Sequence, residues 1–186
     1  MVSDLAAPPR VPSMVEPDAF TVGEDLAVTP GAVVFRSPVF ELIRYRPSTP
    51  QVRAVPLLMV PPTINKYYIA DLAPGRSIVE HYVAGGQQVF MMSWRNPDAR
   101  HADWGLDAYG QAILDAMDAV EKVTGSRQVA LQAFCSGGII TSMLLAHLAA
   151  TWKVDFGFVG GLTSEAMWPF VDSTNRLSPP SSWVVR

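Results

Sequence analysis

The sequence predicts an α/β fold with a mostly parallel sheet flanked by helices. Three apolar runs of strand length alternate with segments of helical pattern. The runs are VPLLMV at 55–60, QQVFMMSW at 87–94 and QVALQAF at 128–134. Continuous apolar runs of this length are typical of strands that are buried on both faces, as in parallel sheets. Because helical segments separate the runs, we expect right-handed crossovers between parallel strands.

Two further β-rich runs precede these strands. AVVFR at 32–36 and FELIRY at 40–45 flank the turn pair Ser37-Pro38. Short runs of this kind on either side of a turn pair predict a hairpin or two adjacent strands.

Three helical segments lie between or after the apolar runs. A short helix is expected at 77–84, and a longer one at 107–123, where apolar residues recur at steps of three and four and Gly125 provides a stop signal. The third segment, 138–150, is apolar nearly all round, which predicts a buried helix.

The pattern divides the chain into three parts. Residues 1–19 form a proline-rich arm with little periodicity, which we expect to be mobile. Residues 20–150 carry the alternating strands and helices. Residues 151–186 have no sustained period of two or 3.6, so this tail receives no assigned element.

Composition limits the classes of function. The chain has 186 residues, of which 49% are hydrophobic and 17% charged, as expected of one folded domain. Its net charge of -3 does not favour nucleic acid or an anionic membrane surface as a partner. The longest apolar run is too short to span a membrane, and the first 20 residues lack the order of a signal peptide, so we expect a cytoplasmic protein. A single cysteine allows neither an internal disulfide nor a multi-cysteine metal site, and no metal site is expected.

That cysteine, Cys135, stands where a strand is expected to pass into a helix. The order strand, Cys135, Ser-Gly-Gly, apolar helix is that of a nucleophile elbow, usually written Gly-x-Ser-x-Gly. The residues two before and two after the nucleophile must be small, and here they are Ala133 and Gly137. The dipole of the following helix would favour a thiolate. The alternative is an inert buried thiol.

Longer stretches around the cysteine are similar to a known family. TPGAVVFRSPVFELIRY, then VPLLMVPPTINKYYIADLAPGRSIVEHYVAGGQQVFMMSWRNPD, then QAFCSGG resemble the polyhydroxyalkanoate synthases, which are α/β-hydrolase-fold enzymes with a cysteine in the lipase box. The resemblance runs from about residue 20 to residue 150. It implies the N-terminal part of the catalytic domain, a partial α/β-hydrolase fold truncated after the nucleophile helix.

The resemblance also implies an activity. Synthases of this family transfer 3-hydroxyacyl groups from coenzyme A to a cysteine and on to a growing polyester, with the thioester as substrate and no bound cofactor. The resemblance implies that Cys135 is the nucleophile and that the backbone N–H of Ser136 is one oxyanion donor. Since Pro61 and Pro62 have no N–H, Thr63 is the first candidate for the second donor. Arg95, which follows a strand, could reach a phosphate of coenzyme A or could pair with a nearby aspartate, Asp98 or Asp71.

A complete catalytic triad is not found in this sequence. In this fold the acid and the histidine follow the nucleophile, and His147 is the one histidine after Cys135. It lies twelve residues along the expected helix, about 18 Å from the thiol. We therefore expect an acyltransferase fragment that is inactive alone, arising from truncation, a frameshift or an incomplete record.

Other functions stay open beside the acyltransferase fragment. The chain could be a non-catalytic remnant or an accessory protein that binds a synthase or a polyester granule. A weaker alternative is a thioesterase or esterase. The expected partners are the acyl thioester, the polyester chain and a synthase subunit or a second copy.

Overall fold

The computed structural model describes residue 16, residues 18–152 and residues 160–162. The expectations for residues 1–15, for residue 17 and for the tail at 153–159 and 163–186 lie outside the described residues.

Within the described residues, six strands form one mixed sheet in the order β1-β2-β4-β3-β5-β6. β1 and β2 form an antiparallel hairpin, and β2 pairs antiparallel with β4. The pairings of β3 with β4, of β3 with β5 and of β5 with β6 are all parallel. The strands are β1 (Gly31–Arg36), β2 (Phe40–Tyr45), β3 (Leu57–Val60), β4 (Val89–Trp94), β5 (Ala130–Phe134) and β6 (Gly160–Leu162).

Three α-helices connect or follow the parallel strands. They are α1 (Ile78–Ala84), α2 (Leu106–Thr124) and α3 (Cys135–Trp152), and two short 3-10 helices cover Tyr67–Ala70 and Ala99–His101. α2 ends at Gly125, whose φ of 71° lies in the left-handed region that favours glycine. None of the helices in the described part of the chain has the length and apolar character that a membrane span requires.

Alternate residues of the central strands point to two separate cores. Leu58 and Phe90 contribute to the core that also contains apolar side chains of α2 and α3. Met59 and Met91 contribute to the opposite core, which contains side chains of α1. The central strands are therefore buried on both faces, which explains their continuous apolar sequence.

The predicted fold class and nearly all predicted elements are confirmed. The three apolar runs form the adjacent strands β4, β3 and β5, and the hairpin and the three helices occur where they were expected. β6 was not predicted. Its three residues begin with two glycines, which have low strand propensity, and its pairing with β5 depends on a partner distant in sequence.

A buried aspartate joins the segment before β1 to the start of α1. Asp71 is fully buried, and its Oδ1 accepts hydrogen bonds from the hydroxyls of Thr29 and Ser77, each at 2.6 Å. Its carbonyl oxygen accepts from the backbone N–H of Ala27 at 2.8 Å. Ser77 also caps α1. These bonds fix the long loop between β3 and α1 against the edge of the sheet.

Tyr45 lies buried close to this aspartate. Burial raises the pKa of the Tyr45 phenol far above its ordinary value, and the negative charge of Asp71 raises it further. The same two causes raise the pKa of Tyr67. Within the described residues the Tyr45 hydroxyl has no hydrogen-bond partner.

These shifts predict a loss of stability at alkaline pH. Above about pH 10 an unfolded tyrosine ionises, whereas folded Tyr45 keeps its proton, so the free energy of unfolding should fall as pH rises. The slope per such group approaches about 1.4 kcal/mol per pH unit. Tyr45→Phe should make this fall shallower between pH 9.5 and 11 in urea unfolding, and at pH 7 it should be nearly neutral because the hydroxyl has no partner. An unchanged alkaline slope would contradict the assignment.

Candidate functional site

The sole cysteine lies at the junction of a strand and a helix. β5 ends at Phe134 and α3 begins at Cys135, so the turn between them contains no additional residue. Cys135 has a φ of +48°, in the left-handed region that residues other than glycine rarely adopt. The residue is exposed. The thiol therefore belongs to neither core and lies at the carboxyl edge of the sheet.

Gly137 lets the helix start this close to the neighbouring strand. A Cβ atom at Gly137 would lie 2.5 Å from the carbonyl oxygen of Pro61 and 2.6 Å from that of Val60. Both contacts are with backbone, which cannot move aside without displacing β3. On the other side of the turn, Ala133 is fully buried and lies in register with Val60. The two small residues of the elbow thus face the same strand end.

Ser136 and Thr63 lie together and are hydrogen-bonded through the serine hydroxyl. The backbone N–H of Thr63 donates to Oγ of Ser136 at 2.9 Å. The two side-chain hydroxyls lie 3.1 Å apart. In this arrangement the Thr63 N–H donates to a neutral hydroxyl oxygen.

The loop after β4 is tied to the same strand end. The indole N–H of Trp94 donates to the carbonyl oxygen of Pro61 at 2.8 Å. The backbone N–H of the next residue, Arg95, donates to Val39 at 2.9 Å. Lys66 donates to the side chain of Asn96 at 2.6 Å. The contact between Trp94 and Pro61 joins residues 33 positions apart and was not predicted from the sequence.

Neither aspartate proposed as a partner of Arg95 takes that role. Asp98 pairs with Arg100, whose hydrogen bonds are the main reason that the pKa of Asp98 falls to about 2. Asp71 is engaged by two hydroxyls, as described above. The ion-pair interpretation of Arg95 is therefore wrong for both aspartates.

The three histidines lie on separate elements. His81 is exposed on α1, beside Tyr82. Nδ1 of His101 accepts from the backbone N–H of Asp98 at 3.1 Å and lies 3.0 Å from its carboxylate, in the 3-10 turn after β4. His147 lies on α3, twelve residues after Cys135, which at 1.5 Å per residue is about 18 Å along the helix.

Comparison with known proteins identifies the family of this chain. Residues 1–82 match the sequence model of the family described as poly-beta-hydroxybutyrate polymerase (PhaC) N-terminus. Poly(3-hydroxyalkanoate) polymerase 1 of Ectopseudomonas oleovorans is 46% identical over 150 residues, which are 81% of this chain. The chain belongs to the polyhydroxyalkanoate synthase family. The PhaC subunit of the polymerase of Cupriavidus necator is 48% identical over 139 residues, or 74% of this chain.

The matches cover only part of these relatives. The aligned residues span 27% of the Ectopseudomonas polymerase and 24% of the Cupriavidus polymerase, so the chain spans about a quarter of their length. Among solved structures, an α/β serine hydrolase homologue from Coxiella burnetii superposes with a TM-score of 0.47 at 15% identity, covering 81% of this chain and 70% of that one.

The close contact at Gly137 gives a test of the elbow. Gly137→Ala places a methyl group against two backbone carbonyls, and we expect it to lower the free energy of unfolding by about 1–3 kcal/mol. Urea unfolding followed by circular dichroism measures the change.

Gly110→Ala is the matched control. Gly110 is buried within α2, and a Cβ atom there would meet only the side chain of Leu144, at an ordinary contact distance of 3.9 Å. Alanine should therefore not lower the free energy of unfolding and should raise it by up to about 1 kcal/mol through its higher helix propensity. Equal effects of the two substitutions would contradict the close packing of α3 on β3.

Proposed function

We propose that Cys135 is the acyl acceptor of a polyhydroxyalkanoate synthase-type transfer from a 3-hydroxyacyl-coenzyme A thioester. The proposal is supported by the exposed position of this cysteine, at positive φ between β5 and α3, in a chain of this family. A side chain in that position projects into the carboxyl edge of the sheet, where ligands of α/β folds bind.

The first step is a thioester exchange. The sulfur of Cys135, as thiolate, attacks the acyl carbonyl carbon, a new carbon–sulfur bond forms, and the bond to the sulfur of coenzyme A breaks. Coenzyme A leaves as a thiolate and takes up the proton that Cys135 released. Because one thioester replaces another, the step costs little free energy, and cysteine is the side chain best suited to it near neutral pH.

Two backbone N–H groups are candidates to stabilise the tetrahedral intermediate. The N–H of Ser136 is the first. The N–H of Thr63 can act as the second when the Ser136 hydroxyl rotates away from it, since that hydroxyl accepts its hydrogen bond at 2.9 Å. We propose this rotation as part of the acylation step.

The second step requires a general base. A hydroxyl of the polyester or of a second monomer must attack the acyl-cysteine and lose its proton as the ester forms and the Cys135 thiolate is released. A base acts from about 3 Å. His147 is about 18 Å along α3 from the thiol, and His101 is engaged at Asp98. This chain on its own should therefore become acylated and then stop.

Intact-protein mass spectrometry tests this expectation. Purified chain mixed with 3-hydroxybutyryl-coenzyme A should gain the mass of a single acyl group and release no more than one coenzyme A per chain. Neither polymer nor sustained release of coenzyme A should follow. Cys135→Ala should show neither the added mass nor the release.

The remaining outcomes distinguish the alternative functions. Sustained formation of free 3-hydroxybutyrate that depends on Cys135 would indicate a thioesterase, and sustained polymer would show that a base is present. Absence of any acyl adduct on a folded chain would contradict the proposal and favour a non-catalytic accessory protein that binds a synthase or a granule.

A further inference from the structure

An open cavity of about 330 Å³ lies at the carboxyl end of β4, beside the β1–β2 turn. It forms there because β2 runs antiparallel to β4, with Phe40 opposite Trp94, so the turn between β1 and β2 stands over the end of β4. This volume is within the range of small-molecule sites. The lining residues are Arg36, Ser37, Phe40, Glu41, Ser93, Trp94 and Arg95.

The lining has a net positive charge. Two arginines and one glutamate are among the lining residues, and Arg36 pairs with Glu41 at 2.9 Å. The Arg95 guanidinium makes no hydrogen bond or ion pair within residues 18–152, whereas its backbone is fixed at Val39. The cavity thus presents one uncompensated cation, which favours an anionic ligand. A guanidinium is the side chain best matched to a phosphate, which it can bind through two parallel hydrogen bonds.

Trp94, which lines the cavity, is fixed by contacts that extend to the strand end beside Gly137. The Trp94 ring packs edge-on against Phe40 and Tyr109, with centroid distances of 6.3 Å and 5.4 Å. Its indole N–H bonds to the same Pro61 carbonyl that lies against Gly137. β4 and β5 are separated by β3 alone, so the ends of these two strands are about 10 Å apart across the sheet, and the cavity lies on the far side of β4 from Cys135. A ligand that reaches both must be elongated.

We propose that this cavity binds a phosphate group of a coenzyme A thioester whose acyl end reaches Cys135, with Arg95 as the principal contact. The inference rests on the proposed acyl transfer and adds to it a place for the nucleotide end of the substrate. Arg95 acts in binding and leaves the chemistry at the thiol unchanged.

Two thioesters with the same acyl group separate binding from chemistry. The rate of Cys135 acylation is measured by mass spectrometry with subsaturating 3-hydroxybutyryl-coenzyme A and with 3-hydroxybutyryl-N-acetylcysteamine, which carries no phosphate. Arg95→Gln should slow acylation by the first about tenfold and leave the second unchanged, since a lost charged hydrogen bond is worth about one order of magnitude. Arg95→Lys, which keeps the charge but not the two-pronged geometry, should lie in between.

Arg127→Gln is the matched control, since this arginine is also exposed but precedes β5 at the opposite edge of the sheet. It should change neither rate. Equal effects of Arg95→Gln on both thioesters, or no effect on either, would overturn the proposal.

If no acylation occurs, the proposed acyl transfer is contradicted but the phosphate site is not. A binding measurement then tests the phosphate site by itself. Isothermal titration calorimetry uses desulfo-coenzyme A, pantetheine and inorganic phosphate as separate probes. Desulfo-coenzyme A should bind about tenfold more weakly to Arg95→Gln, and pantetheine should not bind measurably. Inorganic phosphate bound as tightly as desulfo-coenzyme A would show a free-phosphate site and overturn the assignment, as would desulfo-coenzyme A binding that is insensitive to Arg95.

Discussion

The close approach of Gly137 to the end of β3 determines the geometry of the candidate site. Only a residue without a side chain can lie against the carbonyls of Val60 and Pro61, and this contact draws the first turn of α3 against the sheet. The chain must then leave β5 and enter the helix without an intervening loop. Cys135 absorbs the resulting change of direction in a left-handed conformation, a strain on the order of 1–2 kcal/mol. Packing of α3 on the sheet compensates for that cost.

The same strand end connects the thiol to the rest of the carboxyl edge. Pro61 contacts Gly137 through its carbonyl group and accepts the indole hydrogen bond of Trp94. Two residues further on, Thr63 bonds to Ser136. The short segment Pro61–Thr63 after β3 therefore contacts the start of α3 on one side. On the other side it contacts Trp94, the residue before Arg95. This continuity is why we consider an elongated thioester, with its acyl group and its phosphates in separate places, to be the ligand that suits the edge.

Most strands and helices could be predicted because each depends on residues that are close together in the sequence. Apolar runs located the strands, since burial on both faces leaves no polar alternation, and Gly125 located the end of α2. The contact between Thr63 and Ser136 could not be predicted in detail, because the direction of a hydroxyl depends on tertiary packing across 73 residues. One of the two alternatives for Arg95, an ion pair with Asp98 or Asp71, was wrong for the same reason. Asp98 pairs with Arg100, and Asp71 accepts hydrogen bonds from Thr29 and Ser77.

Substitution of Cys135 by glycine and by alanine tests whether this residue is held in a strained turn at the start of α3. Glycine adopts a positive φ without steric cost, so Cys135→Gly should be more stable to urea unfolding than Cys135→Ala by about 1 kcal/mol. The order should be reversed at the exposed helical position Ala146, where Ala146→Gly should cost about 1 kcal/mol. A Cys135→Ala protein as stable as Cys135→Gly, or more stable, would show that residue 135 has an ordinary right-handed helical backbone and that the strained turn does not exist.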